Sequence, residues 1–173
     1  MSLAYLFEID GFGFRPVVED DLDHYTQLDC DPDVMRFFPG GALSPDELKK
    51  KLKKYANDYN EKGYGVFSVF DSQSGEFIGR AGFADVEGGE IEVGYLIMKK
   101  YWGKGYATRI VKALLSWANE NILKDKIIAF TPVDHAASEK VMQKVGMSYV
   151  KNGVMKGVEC VIYEYPLKNH LKR

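Results

Sequence analysis

Residues Tyr101–Arg109 read YWGKGYATR: two glycines around a lysine, between an extended apolar run, IEVGYLIM (Ile91–Met98), and a helix-like run, IVKALLSWANE (Ile110–Glu120). A strand that feeds a glycine turn opening a helix is suited to an anion. The first N–H groups of a helix lack intrahelical acceptors, and the positive end of its dipole points outward. Glycine lets the backbone approach a ligand with no Cβ in the way. Lys104 adds a mobile positive charge. On the two glycines alone, an ordinary loop stands beside this reading. Two nucleotide motifs are excluded. No G-x-x-x-x-G-K-[ST] string occurs, and a G-x-G-x-x-G fingerprint fails at Thr108.

Working outward, FEIDGFGFRPV reads as strand material with a Gly-Phe-Gly interruption. Glu19, Asp20 and Asp21 then open a short helix with Leu22, Tyr25 and Leu28 on one side. DPDVMRFFPGG (Asp31–Gly41) is irregular and aromatic. Ser44-Pro45-Asp46-Glu47 has the form of a capping box with proline at the first helical position. In the helix it starts, Leu48, Leu52, Tyr55 and Tyr59 recur at helical spacing. Lys49, Lys50, Lys51, Lys53 and Lys54 fill the other faces and read as a solvated surface. GVFSVF (Gly65–Phe70), EFIGRAGF (Glu76–Phe83) and Ile91–Met98 follow as strands joined by turns too short for anything but antiparallel neighbours. A helix over about 105–121, the strand IIAFTP, a helix from near Asp134 to Gly146 and two final strands complete the order β-α-α-β-β-β-α-β-α-β-β. This is a mixed α/β domain of about seven, mostly antiparallel strands, expected to fill residues 1–173 as one unit.

The whole composition narrows the function. Basic side chains number 23 and acidic ones 25, so no large positive field holds nucleic acid. No apolar run reaches a membrane span, and the N-terminus does not read as a secretory signal. Cys30 and Cys160 read as reduced thiols, which suggests a cytoplasmic protein. His24, His135 and His170 are scattered and form no metal-binding pattern, so no metal is expected.

Five segments together resemble the GNAT acetyltransferases, and more narrowly the branch with the ribosomal-protein N-terminal acetyltransferases. They are FRPVVEDDL, DPDVMRFFPGG, EFIGRAGF, IEVGYLIMKKYWGKGYATR and DHAASEKVMQKVGM, which span nearly the whole chain. The superfamily motif Q/R-x-x-G-x-G/A falls on Trp102-Gly103-Lys104-Gly105-Tyr106-Ala107, with Trp102 departing from the first position. The resemblance implies a three-layer fold with acetyl-CoA as co-substrate. It implies that the pyrophosphate sits on the amides of Gly103 to Thr108, including those of Lys104, Gly105, Tyr106 and Ala107. The pantetheine arm would pair with the strand edge at Leu96, Ile97 and Met98. A second motif, N-x-x-S, reads His135-Ala136-Ala137-Ser138 here, so His135 and Ser138 are expected at the cofactor. Asp134 reads as the cap of that helix.

The implied reaction is direct attack of a neutral primary amine on the thioester. Glu92 alternates with Ile91 and Val93 and so faces away from them; it reads either as the base or as a surface cross-strand partner. Glu159 is a weaker candidate. The tyrosine that many members use to protonate the leaving thiolate is replaced by Met142, which leaves Ser138 as the candidate acid. Phe37 and Phe38, beside Pro39, are expected to frame the acceptor. A protein N-terminal amine is the first acceptor considered. The alternatives are a small amine (polyamine, antibiotic or amino acid) and a non-catalytic coenzyme A-binding module. A monomer and a homodimer are both compatible with the chain.

Overall fold

The structure is a computed structural model that describes residues 4–168, so His170 lies outside it. Eight strands form one sheet: β1 (Phe7–Ile9), β2 (Phe12–Pro16), β3 (Val66–Asp71), β4 (Phe77–Asp85), β5 (Ile91–Ile97), β6 (Lys126–Pro132), β7 (Ser148–Met155) and β8 (Val158–Pro166). Their order is β1-β2-β3-β4-β5-β6-β8-β7. The helices are α1 (Leu22–Asp29), α2 (Pro45–Lys62), α3 (Tyr106–Asn121) and α4 (Ala136–Lys144). The sequence suggested about seven strands. The eighth arises because the first run folds back on itself. Asp10 (φ 55°) and Gly11 (φ 80°) both adopt left-handed backbone, the conformation a two-residue hairpin turn needs.

Two cores sandwich the sheet. On one face Ile110, Leu114 and Ala118 of α3 and Met142 of α4 pack on Phe67, Phe83, Ile91 and Val93. On the other, Tyr25 and Leu28 of α1 and Leu48 and Leu52 of α2 pack on Phe70, Phe77 and Leu96. Helix α2 starts as its sequence dictates. The Ser44 hydroxyl accepts from the Glu47 N–H at 3.3 Å, and the Glu47 carboxylate accepts from the Ser44 N–H at 2.7 Å. Gly63 (φ 76°) ends it. Helix α4 corrects one expectation. Its first cap position is His135 rather than Asp134, and no side chain caps it.

One irregularity sets up the site. Strands β4 and β5 are paired from Gly79–Ile97 to Asp85–Ile91. On its other side β5 meets β6 in parallel, with a register of Glu92–Ile128 alone. Beyond Glu92 the two strands diverge, and the sheet is split between its halves.

Candidate active site

The split leaves backbone groups of β5 unmatched. The Met98 N–H donates to the Ile78 carbonyl at 2.9 Å, so Met98 and, by alternation, Leu96 spend their backbone groups on β4. Tyr95 and Ile97 therefore present theirs to the opening. Of Leu96, Ile97 and Met98, the backbone groups of Ile97 are the ones turned that way. Its carbonyl accepts from the Trp102 indole N–H at 2.9 Å. That bond gives Trp102 a structural role at its unusual motif position: it ties the glycine turn to the strand end.

The turn has the geometry its glycines suggested. Gly103 (φ 73°) and Gly105 (φ 77°) are left-handed, and a Cβ on either would meet nothing within 4 Å. Gly105 occupies the cap position of α3 with no side-chain cap, and the first helical bond runs from the Arg109 N–H to the Gly105 carbonyl at 3.2 Å. The amides of Tyr106, Ala107 and Thr108 are thus the orphan donors of a 16-residue helix. Tyr101 stacks on Tyr106 (5.3 Å, 19°), and the Lys104 ammonium lies 5.9 Å from the Tyr101 ring. Arg109 donates to the Asp10 carboxylate at 2.8 Å, which braces the helix against the β1–β2 turn.

Around the opening the expected side chains converge. Ser138 is buried in the first turn of α4. Burial pushes the phenol of neighbouring Tyr95 above the usual tyrosine range, and the Ser138 hydroxyl opposes that. His135 stacks on Phe37, with ring centres 3.8 Å apart and planes 6° from parallel. This joins a residue expected at the cofactor to one expected at the acceptor. Burial lowers the imidazole's affinity for a proton. A cleft of about 230 Å³ beside the pair is lined by Arg36, Phe37, Phe38, Pro39, Pro132, Asp134 and Val158. A larger one, about 410 Å³, lies between Glu19, Leu22 and the outer lysines of α2, away from these residues.

Glu92 lies on the opposite face of β5, its side chain 15% exposed, with the Lys156 ammonium at 3.3 Å. Burial raises its carboxyl above the ordinary range, and Lys156 opposes that. Lys156 reaches it from the β7–β8 turn and sits 5.5 Å from the Phe130 ring. Glu92 is thus largely withdrawn from water and also paired with a cation that comes from outside its neighbouring strands. Glu159 is exposed. Among the described residues, no group of three or more His, Cys, Asp or Glu side chains gathers to hold a metal ion.

Sequence reasoning did not single out Tyr95, Arg80, Asp29 or Lys51. Arg80 grips Asp29 with its Nε at 3.2 Å and Nη2 at 3.0 Å, and both side chains are buried. Lys51 reaches the same carboxylate at 3.3 Å. The lysine run of α2 is thus not uniformly solvated, because Lys51 turns inward while Lys49, Lys50, Lys53 and Lys54 stay exposed.

Residues 12–148 match the family model for the acetyltransferase (GNAT) domain. The chain belongs to the GNAT acetyltransferases. It is 33% identical over 126 residues to the uncharacterised protein YkkB of Bacillus subtilis, covering 70% of this chain and 72% of that one. Two solved acetyltransferase structures share the architecture. The ribosomal-protein-S5-alanine acetyltransferase of Vibrio fischeri superposes with a TM-score of 0.76 at 17% identity, covering 94% of this chain and 97% of that one. The spermidine N-acetyltransferase of Vibrio cholerae, in complex with CoA and spermine, gives 0.77 at 18%, covering 94% and 99%. At these identities the likeness concerns the fold alone. No helix among the described residues is long and apolar enough to cross a membrane.

Proposed function

We propose that this GNAT protein moves an acetyl group from acetyl-CoA to a primary amine within a ternary complex. One observation carries the reading: the split between β5 and β6, the uncapped start of α3 and the left-handed Gly103–Gly105 turn lie at the same end of the sheet. The amides of Tyr106, Ala107 and Thr108 suit a pyrophosphate, and the β5 edge that Tyr95 and Ile97 turn to the opening suits a peptide-like arm added as a strand. Holding amine and thioester together supplies much of the rate.

The amine must attack as the free base. At pH 7 removing its proton costs about 4.6 kcal/mol for a lysine side chain but about 1 kcal/mol for an α-amino group. A weak base reached through water suffices for the latter, and Glu92 fills that role. On the other face, the Tyr95–Ser138 pair is the proton source for the departing thiolate, in place of the tyrosine absent at Met142. The test is release of free thiol from acetyl-CoA, followed across a panel of amines. Acceptor-dependent release is expected; thiol release that no amine accelerates would refute the proposal.

A further inference from the structure

The acceptor side of the split holds an unequal set of charges. On the α1/α2 face of β5, Glu92, Gly94 and Leu96 follow one another. Gly94 is exposed although its strand is central, and a Cβ there would meet nothing within 4 Å. The sheet is therefore bare at this point. Glu92 stands on one side, and Arg80, opposite Leu96 in the register, stands on the other. The two positions are about 13 Å apart along the strands, at two residues per step from Gly94.

Five charged groups act on this space. Lys156 is matched by Glu92. Arg80 and Lys51 share a single carboxylate, Asp29, so one positive charge is left over. Tyr55 lies beneath both cations, 5.7 Å from the Arg80 guanidinium and 5.8 Å from the Lys51 ammonium, and the Phe38 ring is 5.8 Å from Arg80. These rings keep water off without supplying a counter-charge. Burial, then the nearby Arg80 charge, push the Lys51 ammonium down to about 8, and Asp29 restores only part of the loss. At neutral pH Lys51 is still a cation, held in a place that favours an incoming anion.

Resting on the acetyl-transfer reading, we infer that the acceptor is an amine that also carries a carboxylate, its amino group directed to the Glu92 end and its acid group to Lys51 beside Arg80. A polyamine meets the opposite situation. Its further ammonium groups would face Lys51, Arg80 and Lys156, with both carboxylates already engaged. A free amino acid and a peptide N-terminus with an acidic residue next to it share the required chemistry.

The test uses the full chain with acetyl-CoA and acceptors in matched pairs: L-phenylalanine against L-phenylalaninamide, an Ala-Glu peptide amide against its Ala-Gln counterpart, and spermidine. The inference predicts at least a tenfold advantage in kcat/KM for the acid of one pair. The first pair reports a free amino acid and the second an acidic N-terminus. Lys51→Met should bring the acid-to-amide ratio close to one, and Lys51→Arg should keep it well above one, with thermal midpoints showing that both variants fold. Turnover indifferent to the carboxylate, spermidine as the best acceptor, or a ratio unmoved in Lys51→Met would overturn the inference alone. Coenzyme A binding with no turnover of any amine would overturn the acetyl-transfer reading and the inference with it.

Discussion

Glu92 shows what one position can report. Alternation along Ile91–Val93 already put its side chain on the face away from the α3 core, and the structure leaves it there, mostly buried beside Lys156. Because burial raises its pKa, the carboxylate protonates at a higher pH than a solvated glutamate. A base must be unprotonated to act, so kcat/KM should fall as pH drops through that raised value. Glu92→Gln should lower kcat/KM by 10²–10⁴-fold, the usual contribution of a positioned base, and should remove the acidic limb of the pH–rate profile. A retained limb would assign it to another group. Tyr95 was not legible in the same way. Its partner Ser138 lies 43 residues along the chain, on a helix whose landing place no local pattern fixes. Lys51 was hidden for a related reason: it sits in a run of lysines, and its inward turn depends on Asp29 and Arg80 from two other elements.

At the scale of elements, short-range chemistry was the readable part. The Ser44–Glu47 box starts α2 where the sequence placed it, and Gly146 (φ 89°) closes the turn after α4. Ser44→Ala should cost about 1 kcal/mol of stability, read as a lowered denaturant midpoint with an unchanged slope; no shift would mean the cap is idle. The Asp10-Gly11 hairpin was present in the sequence as Asp-Gly between Ile9 and Phe12. The nearby Gly-Phe-Gly masked it, since glycine inside a strand reads equally as an interruption. The parting of β5 from β6 left no trace in the residues, because it depends on how far two strands stay paired, which is a property of the assembled sheet.

Across the molecule, the Asp29–Arg80 pair joins α1 to β4 with both side chains buried, and Lys51 adds α2 to the same carboxylate. This fastening stands where the acceptor face meets the second core. Asp29→Ala would leave Arg80 buried without its counter-ion, a change that costs about 3–5 kcal/mol; chemical denaturation that shows less than 1 kcal/mol would mean the pair is solvated in solution. The two glycines of the turn link this scale to the cofactor. A valine at a left-handed position strains the backbone by roughly 1–2 kcal/mol wherever it occurs. Gly63, at the end of α2 with φ 76°, therefore serves as a control for Gly105 at φ 77°, since neither has an atom within 4 Å of the added Cβ. The most direct measurement is a calorimetric titration of coenzyme A into the wild-type protein, Gly105→Val and Gly63→Val. Saturable one-to-one binding to the wild type and to Gly63→Val, weakened at least tenfold in Gly105→Val, is the expected result; no heat with folded wild-type protein, or equal affinity in all three, would contradict the assignment of the turn.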